Sequence, residues 1–237
     1  MIKIAVVGSC GRMGQRIMAL AEDDSRLSNA VGLEIKGSKS IGTEVFGVKV
    51  TDDINQIEQA DVVIDFTPQA DKTEILKAVC TFKKALVVGT TGLTKDQVKL
   101  IEEAASQIPI VYSPNMSVGV NVMFEIVKEA AAKLKGYNVK IIEAHHIHKK
   151  DAPSGTAKQF AAIVESQTGR EVADVEAIRE GEIVGDHKII LESDVDIIEL
   201  SHHAKTRDIF AKGALEAAVW ISDRPAGLYD MHDVLKV

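Results

Sequence analysis

The first fourteen residues constrain this chain more than any other segment. Ile2–Val7 reads as a strand buried on both faces, the form parallel sheets require. Gly8-Ser9-Cys10-Gly11-Arg12-Met13-Gly14 follows at once, and Met13, Ile17, Leu20 and Ala21 then share one helix face. Strand, glycine loop and helix in this order predict a dinucleotide-binding unit. One glycine allows the tight turn, another lets backbone approach a pyrophosphate, and the last permits close helix–strand packing. The unpaired N–H groups of the helix start would then face phosphate oxygens. The spacing is G-x-x-G-x-x-G rather than G-x-G-x-x-G, and a plain strand-to-helix turn also favours glycine. Context tips the balance towards binding. Glu34 lies 20 residues beyond Gly14, at the end of a second predicted strand, where a carboxylate accepts the ribose hydroxyls. Arg12, Lys36 and Lys39 are near enough in sequence to attract a 2′-phosphate instead.

The alternation continues. Ala30–Leu33, Asp61–Phe66, Ala85–Val88 and Ile108–Tyr112 read as further strands. Between them, Ile75, Leu76, Val79 and Cys80 form one helical stripe; Val98, Ile101 and Ala105 form another behind the capping box Thr94–Gln97. This predicts a Rossmann-like, doubly wound parallel α/β sheet. Gly89-Thr90-Thr91-Gly92 and Ser113-Pro114-Asn115-Met116 each follow a strand. Ligands in open α/β sheets bind beyond those carboxyl ends, so both loops are candidates for the same crevice.

Past residue 116 the texture changes to a helix near Val120–Leu134 and a strand Val139–His146. A second helix near Ala157–Ser166 and strands Val175–Arg179, His187–Glu192 and Val195–Ser201 follow. These predict a second α+β domain on a mixed or antiparallel sheet, with the boundary placing residues 1–116 in the dinucleotide domain and 117–206 in the second domain. Length agrees: 237 residues suit one large domain or two small ones.

The densest chemistry is Glu143-Ala-His145-His146-Ile-His148-Lys149-Lys150-Asp151-Ala-Pro-Ser154-Gly155-Thr156. Histidine can donate a proton near neutral pH, and a helix starting at Ser154-Gly155-Thr156 would hold a carboxylate at its N-terminus. Ser154 or Thr156 as a plain N-cap is the simpler alternative. The histidines also allow a metal reading. On an extended strand His146 and His148 share a face while His145 points away, so threefold ligation needs distortion; no metal is expected.

Composition excludes other classes. The net charge of −7 argues against nucleic-acid or anionic-membrane binding. Two cysteines, Cys10 and Cys80, without a C-x-x-C pair, indicate neither a disulfide scaffold nor a thiolate zinc site. Met1–Gly8 lacks the apolar region of a signal peptide. The 21 uncharged residues Ala104–Phe124 are broken by Pro109, Pro114, Asn115 and Asn121, unlike a membrane helix. A cytoplasmic protein is expected.

At these motifs the chain resembles the 4-hydroxy-tetrahydrodipicolinate reductase (dihydrodipicolinate reductase) family of the diaminopimelate–lysine pathway. The resemblance rests on Val6–Gly8 through Gly14, Asp65-Phe-Thr67, Gly89–Gly92, Ser117–Asn121 and Glu143–His146. Lys149 with Asp151–Thr156, Phe210–Ala214 and Gly227–Met231 complete it. It implies an NADH- or NADPH-dependent reductase acting on a small cyclic dicarboxylate. Gly8, Ser9, Cys10, Gly11, Arg12, Met13, Glu34, Gly89, Thr90, Thr91, Ser113, Pro114, Asn115 and Met116 would line the cofactor site. His145 would be the proton donor and acceptor and Lys149 a second donor, with His146, Lys149, Gly155 and Thr156 on substrate. It further implies a homotetramer built through the second-domain sheets, and a C-terminal segment, about 207–237, returning to the first domain. Ser9-Cys10, Ile35, Ile147 and Lys150 depart from common family forms. Two rival functions stand beside it: a redox-inactive dinucleotide sensor, and a hydrolase using a histidine-bound metal.

Overall fold

A computed structural model describes residues 1–68 and 72–237. The chain forms two compact units, residues 1–117 with 208–236, and residues 118–207 with Val237.

The first unit is built on an eight-stranded sheet. β1 (Ile2–Val7) lies between β2 (Leu27–Leu33) and β5 (Val62–Asp65), with β3 (Glu44–Val45) and β4 (Val48–Thr51) beyond β2. On the other side follow β6 (Ala85–Val88), β7 (Pro109–Tyr112) and β12 (Gly227–Tyr229). Every neighbouring pair is parallel except β3 with β4. Strand alternation explains why both faces are apolar. Ile4 and Val6 pack on one side with Ile17 and Met18 of α1 (Arg12–Glu22) and with Ala214 and Ala218 of α6 (Asp208–Ile221). Ala5 faces the opposite side, where α2 (Thr73–Thr81) and α3 (Lys95–Ala105) bring Val79 and Ile101. The expected capping box is present: Thr94 Oγ1 accepts from the Gln97 N–H and Gln97 Oε1 from the Thr94 N–H. The doubly wound sheet expected from the alternation is therefore the observed architecture.

Several elements differ from the sequence reading. β2 starts at Leu27, three residues earlier, because its first half pairs with β1 while showing no apolar pattern. The β3–β4 hairpin turns through Phe46 and Gly47, both at positive φ (47° and 71°). This pairing of left-handed residues matches a two-residue hairpin turn. α6 has buried residues on nearly every side and so carries no amphipathic stripe.

The second unit carries a mixed sheet in the order β11 (Ile197–His203), β10 (Asp186–Glu192), β8 (Asn138–His145) and β9 (Asp174–Arg179). β8 runs parallel to β9 and antiparallel to β10, as expected for a second α+β layer. One face packs on α4 (Val118–Lys133) and α5 (Gly155–Thr168) through Phe124, Phe160, Ile141 and Ile189. Ile142 and Ile190 occupy the opposite face, only half-buried. One expectation is corrected here. His146 and His148 do not lie on a strand, because β8 ends at His145 and a turn closes from the Lys149 N–H to the His146 carbonyl (3.1 Å).

Candidate active site

In the first unit the glycine loop leaves β1 at Gly8, whose N–H donates to the Leu33 carbonyl at 2.8 Å. α1 then starts with Gly11 as its N-cap and no side-chain acceptor there. An oxyanion could take that role. Gly14 is dictated by contact: a Cβ would sit 2.1 Å from the Gly8 carbonyl oxygen. Glu34 is held beside this loop, its Oε1 accepting the Cys10 N–H at 2.8 Å. A carboxylate at the carboxyl end of the second strand, fixed by the phosphate loop, is the arrangement that reads a ribose. These residues fit a dinucleotide.

The other predicted cofactor residues differ in what they can offer. Thr90 is buried and donates from Oγ1 to the Thr67 carbonyl (2.9 Å), whereas Thr91 is exposed. Ser113 Oγ donates to the Asn115 carbonyl (2.9 Å), and Asn115 Oδ1 accepts the Ser117 N–H (2.9 Å), so the loop after β7 is tied to itself. Met116 is 1% exposed within the core beside α6, which leaves its main chain for any contact. Arg12 and Pro114 are exposed, and Met13 is half-buried against the core.

Sequence reasoning missed a buried ion pair at this end of the sheet. Lys72, 3% exposed, donates to Asp65 Oδ2 (2.8 Å), Thr67 Oγ1 (2.7 Å) and Thr90 Oγ1 (3.2 Å). It joins the ends of β5 and β6 just below the loop at Thr90. Seven residues separate Lys72 from Asp65 across a strand-to-helix connection, so no periodic pattern announces the pair.

In the second unit the chemistry gathers at the end of β8. Glu143 and His145 are two residues apart and so share the face that turns towards the helices. The Glu143 side chain has no exposure, and His145 Nδ1 lies 2.5 Å from its Oε2. Burial on its own would raise the Glu143 carboxyl. Arg179, His145 and the Ser154 N–H outweigh it, and the group is held below the usual carboxylate range. A carboxylate only accepts, so His145 Nδ1 carries the proton and Nε2 keeps its lone pair. Burial pushes the His145 imidazole down against the opposing pull of Glu143, with Lys149 and Arg179 adding to the lowering. The resting ring is neutral. Gly185 leaves the other edge open, since a Cβ there would stand 3.1 Å from Nε2.

The rest of the predicted cluster splits. Lys149 Nζ pairs with Asp151 Oδ1 at 2.8 Å and is 23% exposed along its side chain, so its ammonium is reachable. Ser154 is the N-cap of α5, accepting the Ala157 N–H at 3.2 Å, which makes the plain capping role real. Gly155 and Thr156 open the first turn. His146 is half-buried with its ring 6.1 Å from that of His148, which is exposed near Glu182. Among the described residues no three His, Cys, Asp or Glu side chains form a metal-holding group. Sequence reasoning also missed His187 on β10. It is buried, lies 3.2 Å from Ser154 Oγ, and is pushed down to about 3, chiefly by burial and then by His145.

A parallel sheet whose first strand runs into a glycine loop with Glu34 beside it, followed by a mixed-sheet unit carrying a buried Glu–His pair, is the arrangement of two-unit dinucleotide-dependent oxidoreductases. The chain belongs to the dihydrodipicolinate reductase family: the family's N-terminal model matches residues 2–116 and its C-terminal model residues 119–235. It is 39% identical to a 4-hydroxy-tetrahydrodipicolinate reductase of Anaeromyxobacter dehalogenans, over 99% of this chain and 98% of that one. It is 40% identical to one of Geobacter metallireducens, over 99% of each chain. Among solved structures, a dipicolinate-bound dihydrodipicolinate reductase from Paenisporosarcina sp. TG-14 superposes with a TM-score of 0.84 at 21% identity, covering 97% of each chain; it shares the fold.

Proposed function

We propose that this chain is an NAD(P)H-dependent reductase of diaminopimelate–lysine biosynthesis, converting 4-hydroxy-tetrahydrodipicolinate to tetrahydrodipicolinate with loss of water. The observation that carries this reading is the match of both halves of the chain to one reductase family. The geometry supports it. The substrate gives up water to form a conjugated imine, which takes a hydride at C4 and a proton at C3. When bound, the dinucleotide supplies the hydride. Gly8–Met13 hold its pyrophosphate and Glu34 its ribose, with the loops Gly89–Thr91 and Ser113–Met116 along the same sheet edge.

Lys149 and the α5 start at Gly155 and Thr156 bind substrate carboxylate, and His146 flanks them. A bound dicarboxylate raises the proton affinity of His145, so a ring that rests neutral is protonated when it is needed. His145 or Lys149 then delivers the proton to C3. A sensor that merely binds the dinucleotide would give the buried Glu143–His145 pair no task. Turnover is tested by following NADH and NADPH absorbance with freshly generated 4-hydroxy-tetrahydrodipicolinate. Oxidation that depends on that substrate is expected, and folded protein inert with both cofactors would sink the reading.

Glu34 decides cofactor choice in this account. Its carboxylate favours free ribose hydroxyls while Arg12 and Lys36 attract a phosphate, so both cofactors are used, NADH at least as well. Glu34→Ala is expected to weaken NADH more than NADPH. Equal changes in the two dissociation constants would remove Glu34 from ribose recognition.

The protein works in the cytoplasm; no described helix is long and apolar enough to cross a membrane. It assembles as a homotetramer through the second sheet, whose outer face presents half-buried Ile142, Ile178 and Ile190 and the 57% exposed Ile197. Sedimentation at micromolar concentration should give four times the chain mass; a monomer would overturn this.

A further inference from the structure

We infer that Arg179 is a positioning residue for proton transfer: by gripping both oxygens of Glu143 it fixes which nitrogen of His145 faces the substrate. The inference rests on the reductase reading, in which His145 moves the proton. Arg179 comes from β9, the edge strand beside β8, and no motif of the chain singles it out. Its Nη1 donates to Glu143 Oε2 at 2.9 Å and its Nη2 to Oε1 at 2.7 Å, a two-pronged pairing. The remaining lone pairs of that carboxylate are also engaged: Oε1 accepts the Ser154 N–H at 3.0 Å, and Oε2 accepts a hydrogen bond from the Nδ1–H of His145.

The consequence is a carboxylate with no capacity left. It orients the imidazole and remains an anion, so it neither takes the proton from Nδ1 nor lets the ring turn. Nε2 alone is left to exchange a proton with substrate. Arg179 also compensates the Glu143 charge, which would otherwise draw a proton onto the ring. From Nη2 it reaches the Asp151 carbonyl (2.6 Å), and Asp151 pairs with Lys149, so the same guanidinium anchors the loop of the second proposed donor.

All charged and titratable groups around His145 enter this balance. Glu143 lies on its own strand, Arg179 on β9 and His187 on β10, with ring centroids of the two histidines 5.3 Å apart. Lys149 and Asp151 come from the following loop. Removing Glu143 or Arg179 changes the field at His145 in opposite senses, which a purely structural support would not do.

The test reads His145 directly, by ¹⁵N–¹H correlation spectra of histidine-labelled protein without substrate, the resonance being assigned by its loss in His145→Ala. The unaltered protein should show the Nδ1–H tautomer. Glu143→Gln should lower the titration midpoint and weaken the tautomer preference. Arg179→Gln should raise the midpoint, because an uncompensated carboxylate then faces the ring, and Arg179→Lys should raise it by less. kcat should fall by about 10-fold or more in Glu143→Gln and Arg179→Gln with NADH affinity retained. If Glu143→Gln fails to fold, the two Arg179 variants still decide, since both must move the midpoint upward. Unmoved midpoints, or movement in one shared direction, would overturn the inference. The titration is read on free protein, so it stands or falls separately from turnover: an inert unaltered enzyme defeats the reductase reading and leaves the tautomer result intact.

Discussion

His145→Ala is expected to lower kcat by about 10²-fold or more while leaving the NADH dissociation constant nearly unchanged. The reason is where the two groups reside. The glycine loop at Gly8–Gly14, proposed to hold the cofactor, belongs to the first unit, whereas His145 ends β8 in the second. Lys149→Ala should share the kcat loss and also raise KM, because a substrate carboxylate loses a charged partner. His145→Ala should flatten one limb of the pH–rate profile, as expected when a titrating imidazole is removed. The double variant should lose less than the product of the single losses if the two residues serve one proton-transfer unit. Steady-state and stopped-flow kinetics on the four proteins, with cofactor binding measured separately, check this. Near-normal turnover in either folded single variant would take that residue out of the chemistry.

Acid should destabilise the second unit well before its surface carboxylates titrate. His187 is neutral in the folded chain, with its pKa lowered from 6.5 to about 3, mainly by burial. The unfolded chain binds that proton near pH 6.5 and the folded chain does not, so stability falls as pH falls through this window. Each such proton costs about 1.4 kcal/mol per pH unit, so His187 alone accounts for about 2 kcal/mol between pH 6.5 and 5. His145 and His202, both lowered by burial, act in the same sense. Glu143, held low despite its burial, extends the loss to more acid pH. Urea denaturation followed by circular dichroism should therefore show a falling midpoint from pH 7 to 5. His187→Gln should flatten that dependence; an unchanged slope would show that His187 is not the group responsible.

Much of the architecture could be read without coordinates, because the relevant physics is local. A strand buried on both faces must be apolar throughout, as Ile4–Val6 is, and a helix on a sheet must carry a stripe, as α1 and α3 do. Thr94 and Gln97 meet within one turn, so their capping box needs no tertiary partner. Where burial is not one-sided the signal fades. α6 is covered on nearly every side and shows no period, and the β3–β4 hairpin uses Phe46 where Asn or Gly would announce the turn.

The candidate site divides along the same line. Gly14 and Glu34 could be named from order and spacing, and the Glu143–Thr156 cluster from its residue types, while the separate roles of His145 and Lys149 came only with the family resemblance. What each does to the others could not be read that way. Arg179 reaches Glu143 across 36 residues by strand pairing, and His187 reaches Ser154 across 33 because α5 packs on the sheet. Proton affinity depends on burial and on charges a few ångströms away in space, and neither follows from chain order. Residue types and their local spacing therefore settled the fold class and marked the candidate chemistry, while the pairing of β8 with β9 and β10 decided what surrounds the Glu143–His145 pair, because Arg179 and His187 are neighbours that only folding brings within reach.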